Sequence, residues 1–154
     1  QSCIFGMSYA RDDVMKRITA LSAILFCSSF LFAQTTLTIE VQVKDIVAGG
    51  VIRAALCANE AAFTTEKGCA FKAVKVDGKS ISLTYSGLAN GTYALKLFQD
   101  VDSDEKLGTN ALGIPNEPFG FSNNAMGHFG PPSFEQAAFK VGSEPITIKV
   151  KLKG

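Results

Sequence analysis

Four carboxylates lie close together in the segment FQDVDSDEKLGTN, residues 98–110. Asp100, Asp102 and Asp104 occupy alternate positions, and Glu105 follows directly. Alternate carboxylates in a curved loop can converge on one hard cation, and an Asp-x-Asp-x-Asp sequence is typical of the start of a calcium loop. We therefore expect these three aspartates to bind calcium, with Asn110 or Glu117 completing the set of ligands.

A solvated acidic turn is the alternative interpretation of this segment. Lys106 offsets one of the charges, and aspartates favour turns because their side chains accept hydrogen bonds from nearby backbone groups. The segment is not an EF-hand, since Glu105 stands at the sixth position, which needs Gly, and Ala111 at the twelfth, which needs Glu. Another arrangement of ligands is required if the loop binds an ion.

Few residues in the sequence point to catalysis. His128 is the single histidine, and no nucleophile motif accompanies it. Asp100 and Glu117 could form an acid–base pair of the kind that glycosidases use, but a domain of this size rarely forms a sugar cleft. We expect an exported, non-catalytic binding or interaction domain, with a small secreted hydrolase that uses the loop carboxylates as the alternative.

The elements around the loop are predicted to be strands. Apolar and polar residues alternate in TLTIEVQVK, VIRAALC, SISLTYS, TYALKLF and ITIKVKL, and FKAVKV and residues 139–141 add two weaker candidates. Asp77-Gly78 is typical of a hairpin turn. The pattern predicts an all-β protein, an antiparallel β-sandwich of about seven strands, with the lysine-bearing last strand at a sheet edge. A small barrel is the competing architecture.

Residues 100–136 form a long insert before the last two strands. The insert is rich in Gly, Pro and Asn and has no alternation, and loops of this length in a compact domain are usually functional or disordered. We expect an ordered loop, because six apolar residues can anchor it: Leu112, Ile114, Phe119, Phe121, Phe129 and Phe134. Ser133 and Gln136 have capping-box spacing, which predicts a helical turn over residues 133–138.

The N-terminal part of the chain predicts export. Lys16 and Arg17 precede an apolar run, residues 18–32, and Ala33 closes it, which is the layout of a secretory signal peptide over residues 15–33. The run is too short for a membrane span. Residues 1–14 are expected to be non-native upstream sequence, and residues 35–154 a single domain in the periplasm or outside the cell. An envelope protein or glycan would then be its partner.

Charge and cysteine content narrow the class further. Residues 35–154 contain twelve basic and twelve acidic side chains, and this balance argues against nucleic-acid binding. The same region has two cysteines, Cys57 and Cys69. An exported protein meets an oxidising compartment, so we expect a disulfide between them. Two buried free thiols are the alternative.

Several short motifs in residues 91–139 resemble a known bacterial family. They are Asp100, Asp102 and Asp104, then Gly113-Ile114-Pro115, Glu117, Gly120-Phe121-Ser122, and Phe129-Gly130 with Pro132 and Phe134. This run resembles domain-of-unknown-function family 2141 (DUF2141), and the resemblance implies an exported β-domain without an assigned activity. Glu105 stands where that family favours Gly, and Gly108 where it favours Asp. Residues 87–93, GLANGTY, are also similar to the strand entry of transthyretin-like sandwiches.

Overall fold

A computed structural model describes residues 35–42 and 48–154. Within them it contains eight strands: β1 (Thr35–Gln42), β2 (Val51–Cys57), β3 (Ala70–Lys75), β4 (Ser80–Leu88), β5 (Gly91–Asp100), β6 (Phe119–Phe121), β7 (Ala138–Val141) and β8 (Ile146–Lys151). Two short helices, α1 (Glu60–Thr65) and α2 (Phe134–Ala137), and a 3₁₀ turn (Ser122–Asn124) complete the elements. The predicted all-β class is confirmed. The predicted upstream segment and signal peptide, and residues 43–44 of the first predicted strand, lie outside the described residues.

The strands form two sheets. The first has the order β4-β1-β8, and the second has the order β3-β2-β5-β6, with β7 also paired to β5. Neighbouring strands are antiparallel except for β1 and β8, which run parallel. The predicted antiparallel arrangement therefore describes the other neighbouring pairs, and the pairing of β1 with β8 departs from it. The last strand lies at the edge of its sheet, as its outward lysines predicted.

Residues from both sheets form one hydrophobic core. The alternation in β4 buries Ile81, Leu83 and Tyr85, and β1 contributes Leu37 and Ile39. The second sheet contributes residues of β2 and β5 to the same cluster. Each fully buried aliphatic side chain stabilises the fold by about 1.5–3 kcal/mol relative to an exposed one. The two sheets therefore share one core among the described residues.

The hairpin predicted at Asp77-Gly78 is wrong. The strand before it, β3, pairs with β2 in the second sheet, whereas β4 pairs with β1 in the first sheet. The dipeptide favours a local turn, but the buried faces of the two strands require different partners. The chain therefore crosses between the sheets at this turn.

Helix α1 was not predicted, and it covers part of the outer face of the second sheet. Asn59 caps it, since the Asn59 side chain accepts a hydrogen bond from Ala62 N at 2.8 Å. Phe63 of this helix packs with Phe121 and Phe134 in a second apolar cluster. Cys57 and Cys69 are disulfide-bonded at the same cluster, with their Cα atoms 4.4 Å apart. The bond links the end of β2 to the start of β3, across α1.

Of the six apolar residues expected to anchor the insert of residues 100–136, some pack against the domain and others are exposed. Phe119, Phe121 and Phe134 pack in the second cluster, and the predicted helical turn forms as α2, with the Ser133–Gln136 capping box. The expectation that Leu112, Ile114 and Phe129 also anchor the insert is wrong, because these side chains are 83%, 55% and 106% exposed. The short turns around them leave their side chains facing solvent.

Ser122 holds the middle of the insert against β5. Residues 91–94 of β5 pair with β7 and residues 96–98 pair with β6, so Leu95 lies in the gap between the two partner strands. The buried Ser122 hydroxyl fills this gap: its Oγ accepts from Leu95 N at 2.9 Å, and the hydroxyl can donate to Ala137 O. Residue 120 of β6 is a glycine, and a Cβ at this position would lie only 2.7 Å from Lys151 O. These contacts fix the strand that follows Glu117.

Candidate metal centre

Asp100 is the last residue of β5, and it begins the acidic loop in a fully buried position. Residue 51 of β2 lies opposite it, and Gly50 packs directly on its backbone. A Cβ at Gly50 would lie 2.5 Å from Asp100 O, and Gly50 has a φ of +78°. Gly50 is therefore needed both for the close approach and for the turn. The sheet fixes the first carboxylate of the loop.

Arg53 of β2 neutralises one oxygen of Asp100. The Arg53 Nε donates to Asp100 Oδ2 at 2.6 Å, and the Glu105 N–H donates to the same oxygen at 3.2 Å. Burial acts to raise the pKa of the Asp100 carboxyl, but the hydrogen bond from Arg53 and the backbone amides of Ser103 and Glu105 outweigh it. The pKa of Asp100 is therefore lowered from its usual value, and the group is ionised at neutral pH.

The other oxygen of Asp100 has no hydrogen-bond partner among the described residues. Asp100 Oδ1 is buried away from solvent, and no side chain or amide of the described residues lies in hydrogen-bonding geometry to it. A buried charged oxygen without a partner costs free energy, and such groups in folded proteins are normally satisfied. The unpaired oxygen therefore points to a ligand at this position.

Glu117 joins the two ends of the acidic loop. It is only 7% exposed. Its Oε1 accepts from Val101 N at 2.8 Å, and its Oε2 accepts from Gly108 N at 3.1 Å. Because a carboxylate oxygen has two lone pairs, each oxygen can still bind an ion. Glu117 is thus both a brace for the loop and a candidate ligand.

Three carboxylates converge at this point. One oxygen each of Asp100, Asp102 and Glu117 lies within 4.8 Å of the others. Calcium binds oxygen ligands at 2.3–2.6 Å, so ligands on opposite sides of one ion are about 5 Å apart. Arg53 is the cation that forms an ion pair with this group, through Asp100. The arrangement can accept a hard divalent cation.

The other two residues expected as ligands, Asp104 and Asn110, accept local hydrogen bonds in turns of the loop. Asp104 is not part of the group of three, and its Oδ1 accepts from Lys106 N at 2.8 Å. The Asn110 Oδ1 accepts from Leu112 N and Ile114 N at 2.9 and 3.0 Å. These are the local turn contacts that Asp and Asn favour.

The backbone explains the departure at residue 105. Glu105 has a φ of +67°, and Ser103 has a φ of +64°. A left-handed backbone disfavours residues with a Cβ, which is why glycine is favoured at such a position. Glu105 contacts Arg53 Nη2 through its carboxylate at 2.9 Å, with 72% of the Glu105 side chain exposed. At residue 105 the chain therefore has a glutamate in an exposed ion pair, where a glycine would adopt the left-handed backbone without strain.

Arg53 was missed in the sequence. It lies 47 residues from Asp100 along the chain, and only the pairing of β2 with β5 brings the two together. The available signal was a single arginine inside the apolar strand VIRAALC. A buried or half-buried arginine in a sheet usually has an acidic partner.

The hydrogen bonds described for the loop carboxylates come from backbone amides and Arg53. Within the described residues, none of these bonds joins a carboxylate to a serine, threonine or histidine side chain. His128 is exposed in the insert.

The all-β fold, the acidic loop after β5 and the motifs of the insert define a small β-domain with a candidate cation site. The model of the bacterial family described as "Uncharacterized protein conserved in bacteria (DUF2141)" matches residues 41–149, and the chain belongs to this family. No curated protein and no solved structure matches the chain. Within the part of the chain that the structure describes, no helix has the length and hydrophobicity needed to cross a membrane.

Proposed function

We propose that this protein is an exported, non-catalytic binding domain whose acidic loop is ordered by calcium. The observation that carries the proposal is the group formed by Asp100, Asp102 and Glu117, in which the buried Asp100 Oδ1 lacks a partner. An acidic cluster alone is common on protein surfaces. The buried, unpaired oxygen separates this cluster from a solvated turn.

Charge repulsion supports a bound cation. The carboxylate oxygens lie within 4.8 Å of one another, and at that separation two unit charges repel by about 1 kcal/mol in water and about 3.5 kcal/mol at an effective dielectric constant of 20. Arg53 compensates Asp100 through Oδ2, and this leaves Asp102 and Glu117 without an ion pair among the described residues. A divalent cation between the three groups relieves the repulsion and satisfies Oδ1 at once.

Calcium fits the chemistry of the ligands better than a transition metal. All three side chains offer oxygen, which hard cations prefer, and neither a histidine nor a free cysteine belongs to the group. Asp102 is exposed, so water can complete the coordination shell. Asp104 and Asn110 then shape the turns of the loop, and the three carboxylates bind the ion.

Other features support the proposed export and partner contact. The disulfide between Cys57 and Cys69 suits an oxidising compartment, in agreement with the signal-peptide pattern of residues 15–33. The segment beyond the loop exposes Leu112, Ile114 and Phe129. We assign to this segment the contact with a protein or glycan of the cell envelope, and to the ion the task of fixing its orientation.

The test compares two variants of the same loop. Asp102→Asn and Asp104→Asn each remove one charge, and each keeps the oxygen that accepts its local backbone hydrogen bond. Only Asp102 belongs to the group of three. With a dissociation constant of 10⁻⁴–10⁻³ M, 10 mM calcium stabilises the protein by about 1.4–2.7 kcal/mol. For a domain of about 120 residues, the melting temperature then rises by about 6–11 °C.

We expect this rise from chelator to calcium in the wild type and in Asp104→Asn, and its loss in Asp102→Asn. Thermal melts followed by circular dichroism measure all three proteins. Equal melting of the wild type in chelator and in calcium would reject the proposal. The same loss in both variants would show a general charge effect and would also count against it.

A further inference from the structure

The outer face of the second sheet carries a groove of about 620 Å³ beside the acidic loop. Helix α1, the disulfide and the second apolar cluster cover one part of this face. The groove lies beside them, between β3, β2, β5 and β6 and residues 105–107 of the loop, and its lining includes Ala55, Phe119 and Phe121 at the border of the second cluster. Its volume falls in the range of small-molecule sites, about 300–1,000 Å³.

Two small residues, Ala55 and Ala73, form the floor of the groove, and each is paired with a larger side chain in the sheet. In one row of paired residues, Ala73 lies opposite Arg53, and Arg53 lies opposite Phe98. In the next row, Ala55 lies between Phe71 and Lys96. The two alanines leave space where larger side chains would fill the face.

Aromatic side chains form the walls of the groove. Phe71 stands on the β3 side and is 62% exposed, an unusual position for so large an apolar side chain. Phe119 and Phe121 of β6 lie on the opposite side, with their ring centroids 6.1 Å apart in an edge-to-face arrangement. These walls suit an apolar body of about the width of a ring or an alkyl chain.

Cations line the same groove. Arg53 and Lys96 have side chains 26% and 20% exposed, and Lys106 stands at the rim. Arg53 donates through Nε and Nη2, and Nη1 has no described hydrogen bond. The acids that face these cations in the groove, Glu105 and Glu66, are 72% and 53% exposed. Such exposed pairs are weak and readily exchange partners.

We propose that this groove binds a small carboxylate ligand with an aromatic or aliphatic body. The carboxylate contacts the guanidinium of Arg53 and the Lys106 ammonium, and the body lies on Ala55 and Ala73 between the phenylalanines. The guanidinium fork matches a carboxylate in geometry as well as in charge. This ligand site goes beyond the proposed calcium role and does not depend on it.

The probe is 4-phenylbutyrate, and 4-phenyl-1-butanol is its uncharged match. Binding to the folded protein is followed by amide chemical shifts in nuclear magnetic resonance titrations, in chelator and again in calcium. We expect saturable binding with shifts clustered on the outer face of β2, β3 and β6. The alcohol should bind at least about fivefold more weakly, because it lacks the charge that the guanidinium recognises.

Two variants at exposed positions of edge strands separate the groove from the rest of the surface. Ala73→Leu fills the floor of the groove, whereas Thr84→Leu makes a similar change on β4 of the first sheet. Ala73→Leu should weaken phenylbutyrate binding by at least about tenfold, and Thr84→Leu should leave it unchanged. A third variant, Lys106→Gln, should weaken binding of the acid and not of the alcohol.

Three results would overturn the inference. The first is that phenylbutyrate shows no saturable binding up to about 10 mM, a range that covers weak millimolar sites. The second is equal affinity for the acid and the alcohol. The third is that Ala73→Leu binds phenylbutyrate as tightly as the wild type. Binding in chelator by a protein that shows no calcium-dependent melting would support the groove and reject the calcium proposal. The two proposals therefore fail separately.

Discussion

Replacing Ser122 with alanine should weaken the whole fold and the candidate metal centre with it. The hydroxyl serves Leu95, the one residue of β5 between the segments that pair with β6 and β7. Without the hydroxyl, the Leu95 N–H and the Ala137 carbonyl are left unpaired in a fully buried position. Alanine fits the space, so the effect isolates the hydrogen bonds.

The magnitude of the Ser122→Ala effect follows from those two groups. A buried polar group left without a partner costs about 1–3 kcal/mol, so the loss for the two groups is about 2–6 kcal/mol in total. The unfolding entropy of about 120 residues is near 0.25 kcal/mol/K. The melting temperature should therefore fall by about 8–24 °C.

The assay is chemical and thermal unfolding followed by circular dichroism, with Ser82→Ala as the control. Ser82 is exposed on β4 and should change stability by less than about 0.5 kcal/mol. Hydrogen exchange adds a local measurement, since the Leu95 amide should lose its protection in Ser122→Ala. If the melting temperature of Ser122→Ala falls no further than that of Ser82→Ala and the Leu95 amide stays protected, the proposed role of the Ser122 hydroxyl is refuted.

Two further predictions concern the disulfide and Glu117, which joins the two ends of the acidic loop. Reduction of the Cys57–Cys69 bond, which closes a loop with a sequence separation of 12, should destabilise by about 3 kcal/mol. This lowers the melting temperature by about 12 °C, and free thiols in unreduced protein isolated from the periplasm would contradict the bond. Glu117→Gln loses about 1–3 kcal/mol with one backbone hydrogen bond but relieves a comparable repulsion. The melting temperature of this variant in chelator should therefore change little, and its increase on addition of calcium should disappear. If the increase is retained, Glu117 is not a calcium ligand.

The sequence predicted what depends on neighbouring residues. Alternation in β4 and β5 is local, and it correctly indicated these strands, whose apolar residues Ile81, Leu83 and Leu95 lie in the core. The capping box at Ser133 and Gln136 is equally local, and α2 forms where it predicted. Helix α1 was not predicted, because a helix of six residues is too short to show a clear helical repeat of apolar residues. Asn59 was a possible N-cap that could have indicated it.

Pairings between distant segments could not be predicted in the same way. Asp77-Gly78 has the composition of a hairpin turn, but the partners of β3 and β4 are set by distant strands. The parallel pairing of β8 with β1 and the contact of Arg53 with Asp100 likewise depend on the whole topology. At the candidate site, spacing suggested the aspartates, and only the fold selected Asp102 over Asp104.

The most direct measurement of the central claim is a crystal structure of the domain grown in calcium, with an anomalous difference map to locate the ion. The account predicts one calcium peak 2.3–2.6 Å from Asp100 Oδ1, with an oxygen of Asp102 and an oxygen of Glu117 at the same distance. Arg53 should still contact Asp100 Oδ2. A map without a calcium peak between these three carboxylates, at calcium concentrations well above 1 mM, would contradict it.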